Sequence, residues 1–410
     1  MKKILYIMTL ASALNLSCTQ FDHTDKPVIE DLGPIVLRAE LQQKVAQDNE
    51  FALDLLKKTI QNADESNVFI SPLSVSIALG MAWNGAEGST RTEMETALKM
   101  SGMSADDINE YYKIMLESLP AADLSTKLKI ANSIWYRSGF KIKQPYLDMN
   151  STYFDAEIRS LDFTKIWAVD TINNWCAQKT NNLIKDVIKE ISPYTMMYVI
   201  NAVYFKGQWT DPFDKKQTYK TNFTDEKSKL SEVNMMYKRD TFLYYKDTYA
   251  QYLDMPYGNK SFSMTVILPS NGKTTGEVLD YLTTEHLNAA LGSFQMQMVD
   301  VHFPRFKTEC NYELSTPLKS MGMISAFVDN ANFSKISDED LYISSVIHKT
   351  YVEVTEEGTE AAAVTAIEFT TTSLPDYPIF LTNKPFIFLI REKGTGVILF
   401  AGKMGVVAEY

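Results

Sequence analysis

Four histidines, three cysteines and the adjacent carboxylates Glu356 and Glu357 are the material from which this 410-residue chain would have to build acid–base, nucleophilic or metal chemistry. None of it falls into a working pattern. The sequence holds no Gly-x-Ser-x-Gly elbow, no His-Glu-x-x-His, no P-loop and no dinucleotide fingerprint. His23 lies in a Pro/Gly-containing stretch, His286 follows Glu285 on a polar helical pattern, and His302 and His348 sit in strand-like runs. A lone histidine without a partner motif has no base to activate and no acid to orient it, so each is expected to be structural. Neighbours in extended chain point to opposite faces, so Glu356 and Glu357 are expected to be a solvated strand end rather than an acid–base pair. Metal ligation, a cofactor and enzymatic turnover are therefore not expected.

Cys18 is different. Lys2 and Lys3 precede an apolar run, Ile4 to Leu14, that is too short to span a bilayer, and Ser17-Cys18 follows. This arrangement resembles a bacterial lipoprotein cleavage site, with Asn15 as a departure from it. The expectation is a signal peptide at residues 1–17, lipid on Cys18, a tether at 18–35 containing Pro27, Gly33 and Pro34, and one domain at 36–410. That implies a lipid-anchored protein of the bacterial cell envelope, periplasmic or at the cell surface. Cys176 and Cys310 are expected to be buried free thiols.

The elements that must position any site follow from composition and periodicity. Hydrophobic residues make up 45% and charged residues 22%, which excludes a disordered chain or a small disulfide scaffold. Lys+Arg is 40 against Asp+Glu 51, and a net charge of −11 argues against nucleic acid as a partner. Helices are predicted over 37–61, 73–83, 90–99, 105–119, 166–179, 276–291 and 312–321. Ser71-Pro72 supplies a cap and a first-turn proline for the second of these. Strands are predicted over 128–136, 196–205, most of 219–268, 296–303, 342–354, 379–390 and 396–402. The apolar 196–205 run suits a strand buried on both faces. Helices dominate the first third and strands the rest, so the fold class is α+β.

Glu356 to Pro378 fits neither element. Gly358 breaks the strand, Ala361 to Ala363 favour helix, and Val364, Thr365, Ile367 and Thr370 to Thr372 favour extended chain. A connection of this length inside a compact domain is usually functional or a linker. With period two, Thr359, Ala361, Ala363 and Thr365 share one face, and all are small. Such a face enters a tight slot without overpacking.

The hinge Glu356-Glu357-Gly358-Thr359-Glu360-Ala361-Ala362-Ala363 resembles that of inhibitory serpins. So do Asn67-Val68-Phe69-Ile70-Ser71-Pro72-Leu73-Ser74, Asn201 to Trp209 with Pro212-Phe213, Phe303-Pro304-Arg305-Phe306, His348-Lys349, Asn383-Lys384-Pro385-Phe386 and Phe400-Ala401-Gly402-Lys403. Thr382 departs from the aromatic or aliphatic residue common there. The resemblance spans about Val36 to Met404.

The resemblance implies a fold of three β-sheets and about nine helices with an exposed reactive-centre loop at about 357–378. It implies a monomeric suicide inhibitor of serine, and sometimes cysteine, proteases. The loop is cut, an acyl-enzyme forms, and the loop inserts into the central sheet as a strand. Ser71, Asn201 and His348 would form a polar shutter beneath that sheet, and Trp209 would sit at the breach where insertion starts. Counting from Gly358 puts the reactive bond at Thr372-Ser373, with Phe369-Thr370 as a secondary site. Counting back from Pro385-Phe386 points to Leu374, but Pro375 follows it and makes a poor bond. Thr372 suits the shallow pocket of elastase-like proteases, with chymotrypsin- or subtilisin-like enzymes second. No Arg or Lys occurs between Gly358 and Asn383, which disfavours a trypsin-like target. The acidic 101–124 region argues against heparin activation. The alternatives are a non-inhibitory serpin acting as a binding module, and a hydrolase with an unrecognised site.

Overall fold

A computed structural model describes residues 34–358 and 377–408. Among them are nine α-helices: α1 Ala39–Asn62, α2 Pro72–Trp83, α3 Gly88–Ala97, α4 Ala105–Ser118, α5 Gln144–Phe154, α6 Trp167–Lys179, α7 Thr275–Tyr281, α8 Thr284–Gly292 and α9 Ser315–Ser320. Fourteen strands accompany them: β1 Val68–Ile70, β2 Lys127–Arg137, β3 Glu157–Leu161, β4 Met197–Lys206, β5 Tyr219–Thr224, β6 Leu230–Lys246, β7 Ala250–Tyr257, β8 Phe262–Pro269, β9 Gln295–Pro304, β10 Phe306–Glu313, β11 Ile347–Val354, β12 Ile379–Leu381, β13 Phe386–Glu392 and β14 Ile398–Met404. They form three hydrogen-bonded sheets: nine strands along β1-β14-β13-β8-β7-β6-β9-β12 with β5 on β6, three in the order β3-β2-β4, and the pair β10-β11. The expected class, three sheets and nine helices, is the one observed. No helix among the described residues is long and apolar enough to cross a membrane.

The hub of the core is α2. Its cap is the expected one: Ser71 Oγ accepts from the Ser74 amide at 3.4 Å, with Pro72 in the first turn. The helix is apolar nearly all round and correspondingly buried on nearly every side. It packs on α1, β4 and β14. Just before it, Phe69 stacks between Phe388 and Phe400, with ring centroids at 5.6 and 5.3 Å. On the other side of β2 and β4 lies α6, with Trp135, Trp175, Ile172, Cys176 and Ile200 in a separate apolar cluster. Cys176 and Cys310 are both buried and free.

Five sequence expectations need correction, the first being the 342–354 strand, which begins only at Ile347. The predicted 276–291 helix is two, because the Thr283 side chain accepts from the His286 amide and starts a new helix. The 312–321 helix begins only at Ser315; Phe306 to Glu313 alternates inside and out along β10. The 379–390 strand is interrupted at Asn383 to Pro385, where Pro385 has no amide for a ladder. Finally, β4 is not buried on both faces: Met197, Tyr198 and Val199 are only half-buried. It pairs with β2 alone and lies at the edge of its sheet.

That edge makes a prediction. In hydrogen exchange, β4 will retain protection at about half as many amides as a fully paired strand such as β8, which is bonded on both sides. Equal protection of the two strands would contradict the edge placement.

Candidate functional site

The chain leaves β4 at Lys206 and leaves β11 at Val354 at the same end of the molecule, where the Trp209 amide donates to Glu357 O at 2.9 Å. The two strands therefore run in the same direction. Yet no ladder joins them: β4 ends one sheet and β11 ends another. Between them lies a slot, with a cavity of about 300 Å³ lined by Tyr198 to Asn201, Ser345 to His348 and, from α2, Ser74 and Val75. A strand entering it from Gly358 would run antiparallel to both neighbours, the stronger of the two pairings. Unpaired strand edges of this kind invite an added strand.

Beneath the slot α2 ties the two edges together. His348 Nε2, on β11, accepts from the Ser71 amide at 2.9 Å, and Ser71 Oγ donates to Leu399 O at 2.8 Å. One turn on, Ser74 Oγ donates to Asn201 Oδ1 on β4. Asn201 Nδ2 donates to Asn132 Oδ1 at 2.6 Å, and Asn132 Nδ2 to Phe154 O at 2.6 Å. Ser71, Asn201 and His348 thus belong to one relay, but they do not touch as a triad. Ser74 carries the connection and Asn132 extends it to Phe154, and the sequence reading missed both. Ser74 was findable as the residue one turn beyond the cap. Burial pushes the His348 imidazole down to about 4. Its ring is neutral and accepts at Nε2, so the proton resides on Nδ1.

At the open end the strands close again. The Trp209 indole donates to Thr355 O at 2.9 Å and stacks on Tyr257 at 4.5 Å. The Phe213 amide donates to Glu356 O at 2.8 Å, and Thr355 and Gly358 bond each other's backbones in a tight turn. Gly358 has φ +138°, and a Cβ there would lie 2.2 Å from Gly207 O, so only glycine fits. The expectation of a solvated Glu356-Glu357 strand end is wrong for its first residue. Glu356 is 1% exposed; it accepts from Thr218 Oγ1 at 2.6 Å and lies 3.6 Å from Arg305 Nε. Glu357 points the other way, to Lys215 Nζ at 2.6 Å. The turn's backbone bonds fix these opposed directions, and the pair faces two different partners. Thr218, Lys215 and Arg305 gave no pattern in sequence, being far from the hinge along the chain.

The chain returns at Pro378, whose carbonyl accepts from the Asp300 amide at 3.0 Å, and β12 pairs parallel with β9. Thr382 is fully buried and donates both its amide and its hydroxyl to His302 O, at 3.0 and 2.6 Å, which accounts for a polar residue there. Of the other histidines, His302 pairs its Nδ1 with Tyr219 OH at 2.7 Å, and His286 stacks on Tyr281. Thr359, Glu360, Ala361, Ala362, Ala363, Thr365, Phe369, Thr370, Thr372 and Ser373, like Cys18 and His23, lie outside the described residues.

The buried His348 predicts a pH dependence. Its proton affinity is lower folded than unfolded, so the unfolded chain takes up the proton first. Stability is full above about pH 6.5 and falls as pH drops toward about 4, by up to ~3 kcal/mol from this group. In His348→Gln, denaturant titrations between those pH values will lose this slope. An unchanged slope would remove His348 as its source.

Comparisons with known proteins bear on this geometry. The family model described as Serpin (serine protease inhibitor) matches residues 46–406. Serpin B6 of Pongo abelii is 35% identical over 365 residues, covering 86% of this chain and 96% of that protein. The native-state crystal structure of the thermophilic serpin tengpin superposes with a TM-score of 0.82 at 32% identity, covering 92% of this chain and 96% of the other. Human thyroxine-binding globulin, solved with thyroxine, gives 0.80 at 29% identity, covering 90% and 100%.

Proposed function

Because the chain belongs to the serpin family, whose members are generally protease inhibitors rather than enzymes, we propose that it is an irreversible, single-turnover inhibitor of serine proteases. One observation carries the trapping mechanism: a slot between two parallel strand edges, fed at one end by the turn from which the loop departs. The target serine adds to the Thr372 carbonyl, and the amine of Ser373 leaves as the acyl bond forms. The freed segment from Thr359 to Thr372 spans about 48 Å when extended at ~3.4 Å per residue, longer than either strand flanking the slot. Its small face, Thr359, Ala361, Ala363 and Thr365, turns toward the core, and the acylated protease is carried to the far end. Distortion of the oxyanion hole then stops deacylation.

In this reading the Ser71–His348 and Ser74–Asn201 bonds are the shutter, and Trp209 with Glu356 holds the breach closed until the loop enters. The amino-acid make-up of β4 supports the same reading. Its apolar residues suit a strand with neighbours on both sides, as β4 becomes once a strand fills the slot. Thr372 favours elastase-like targets, with chymotrypsin- or subtilisin-like enzymes acting at Phe369-Thr370. Thyroxine-binding globulin, solved with its ligand, shows that this fold also serves as a binding module. The uncharged small face of the hinge argues for trapping instead.

Mixing the protein with pancreatic elastase will give a denaturant-stable complex and a released peptide beginning at Ser373. Ala363→Arg places a charge on the inserting face, slows insertion, and will turn the inhibitor into a substrate cut without a complex. Complex formation undiminished in that variant would contradict insertion along this face. Lipidation at Cys18 after removal of residues 1–17 would anchor the protein to the bacterial envelope. Incorporation of labelled palmitate that is lost in Cys18→Ser tests this, and persistent label in that variant would refute it.

A further inference from the structure

Where the chain re-enters the fold, a cavity of about 610 Å³ opens between the far ends of β6, β7 and β8 and strand β12. Its walls follow from register. Lys246 lies opposite Gln251, and Gln251 opposite Leu268, so the three form one row across β6, β7 and β8 on one face. Tyr244 shares that face two residues earlier. Ile379, Leu381, Asn383 and Lys384 close the other side.

The lining is chemically one-sided. Among the described residues it holds two ammonium groups and no carboxylate. Lys384 is half-buried, and neither a hydrogen bond nor an ion pair to it is found among the described residues. Burial lowers its proton affinity, and the described cavity lining holds no acid to raise it. The nearest acid in sequence to Lys246 is Asp247, and its carboxylate is committed to the amides of Tyr249 and Ala250, both at 2.7 Å. Tyr244 OH donates to Gln251 Oε1 at 2.9 Å, which turns the Gln251 amide nitrogen out as a donor. A half-desolvated cation without a counter-charge is costly, and an anion in the cavity offsets that cost. Leu268, Ile379 and Leu381 give the same cavity an apolar wall, which inorganic ions do not use.

We propose that this cavity binds a small organic oxyanion, with its carboxylate or sulfate between Lys384 and Lys246 and its aliphatic part against Leu268, Ile379 and Leu381. The site is separate from the slot, and it flanks the strand that receives the distal end of the loop.

The test is lysine trace-labelling of the full chain with acetic anhydride, read by mass spectrometry. Sodium hexanoate, sodium sulfate and sodium chloride are compared at equal ionic strength. Hexanoate will lower labelling of Lys384 at least fivefold relative to the exposed Lys227, and sulfate will do so less. Lys246→Met, at an exposed position, will cut that protection several-fold, and Lys384→Arg, which keeps the charge, will preserve protection of Lys246. Thermal melts establish that both variants fold. Three results would each overturn the proposal: labelling of Lys384 that follows Lys227 in every salt, protection by sulfate alone, or protection unaffected in Lys246→Met.

Discussion

The missing ladder between β4 and β11 is the constraint on which the rest of the molecule depends. Two strands running in the same direction present backbone donors and acceptors to a shared slot without bonding each other. Each unsatisfied backbone group has a cost, and an antiparallel third strand would satisfy both edges at once. The described fold therefore has a pairing it has not yet made. What holds the edges in place is small: a histidine ring and an asparagine amide, each bonded to the first turn of α2.

That first turn is well chosen physically. The start of a helix has amides without intrahelical partners, and Ser71 gives one of them to His348 while its hydroxyl both caps the helix and reaches β14. The remainder of α2 is buried almost completely and cannot shift cheaply, so the polar turn is anchored on a tightly packed element of the core. The imidazole is neutral and desolvated, which makes the tie strong at neutral pH and weak in acid. At the opposite end Trp209, Phe213, Thr218 and Lys215 fasten residues 355–358 through backbone carbonyls and the two glutamates. The slot is thus closed at its mouth, tied beneath its floor and unpaired between.

Much of this was legible in the chain. Ser71-Pro72 announces a helix start, and the apolar α2 announces burial. The likeness to serpins rests on motifs spread from Asn67 to Lys403, and it carried the fold and the family. The apolar character of β4 suggested a strand buried on both faces, yet β4 is a half-buried edge. Composition records the neighbours a strand is suited to, and it does not say which of them are present in a given state.

Sequence by itself determined most of the element types, though not α5 or β10, together with the α+β class, the absence of a recognisable catalytic motif and the chemical character of the loop. These depend on local periodicity and side-chain size, which one stretch of chain contains in full. Only the tertiary structure decided that Glu356 is buried beside Thr218 and Arg305 while Glu357 meets Lys215, that Ser74 and Asn132 complete the relay, and that Lys384 faces a cavity whose described lining holds no acid. Each of these is a contact between residues far apart in the chain. Their partners are set by how sheets and helices pack, and no periodicity along a single segment records them.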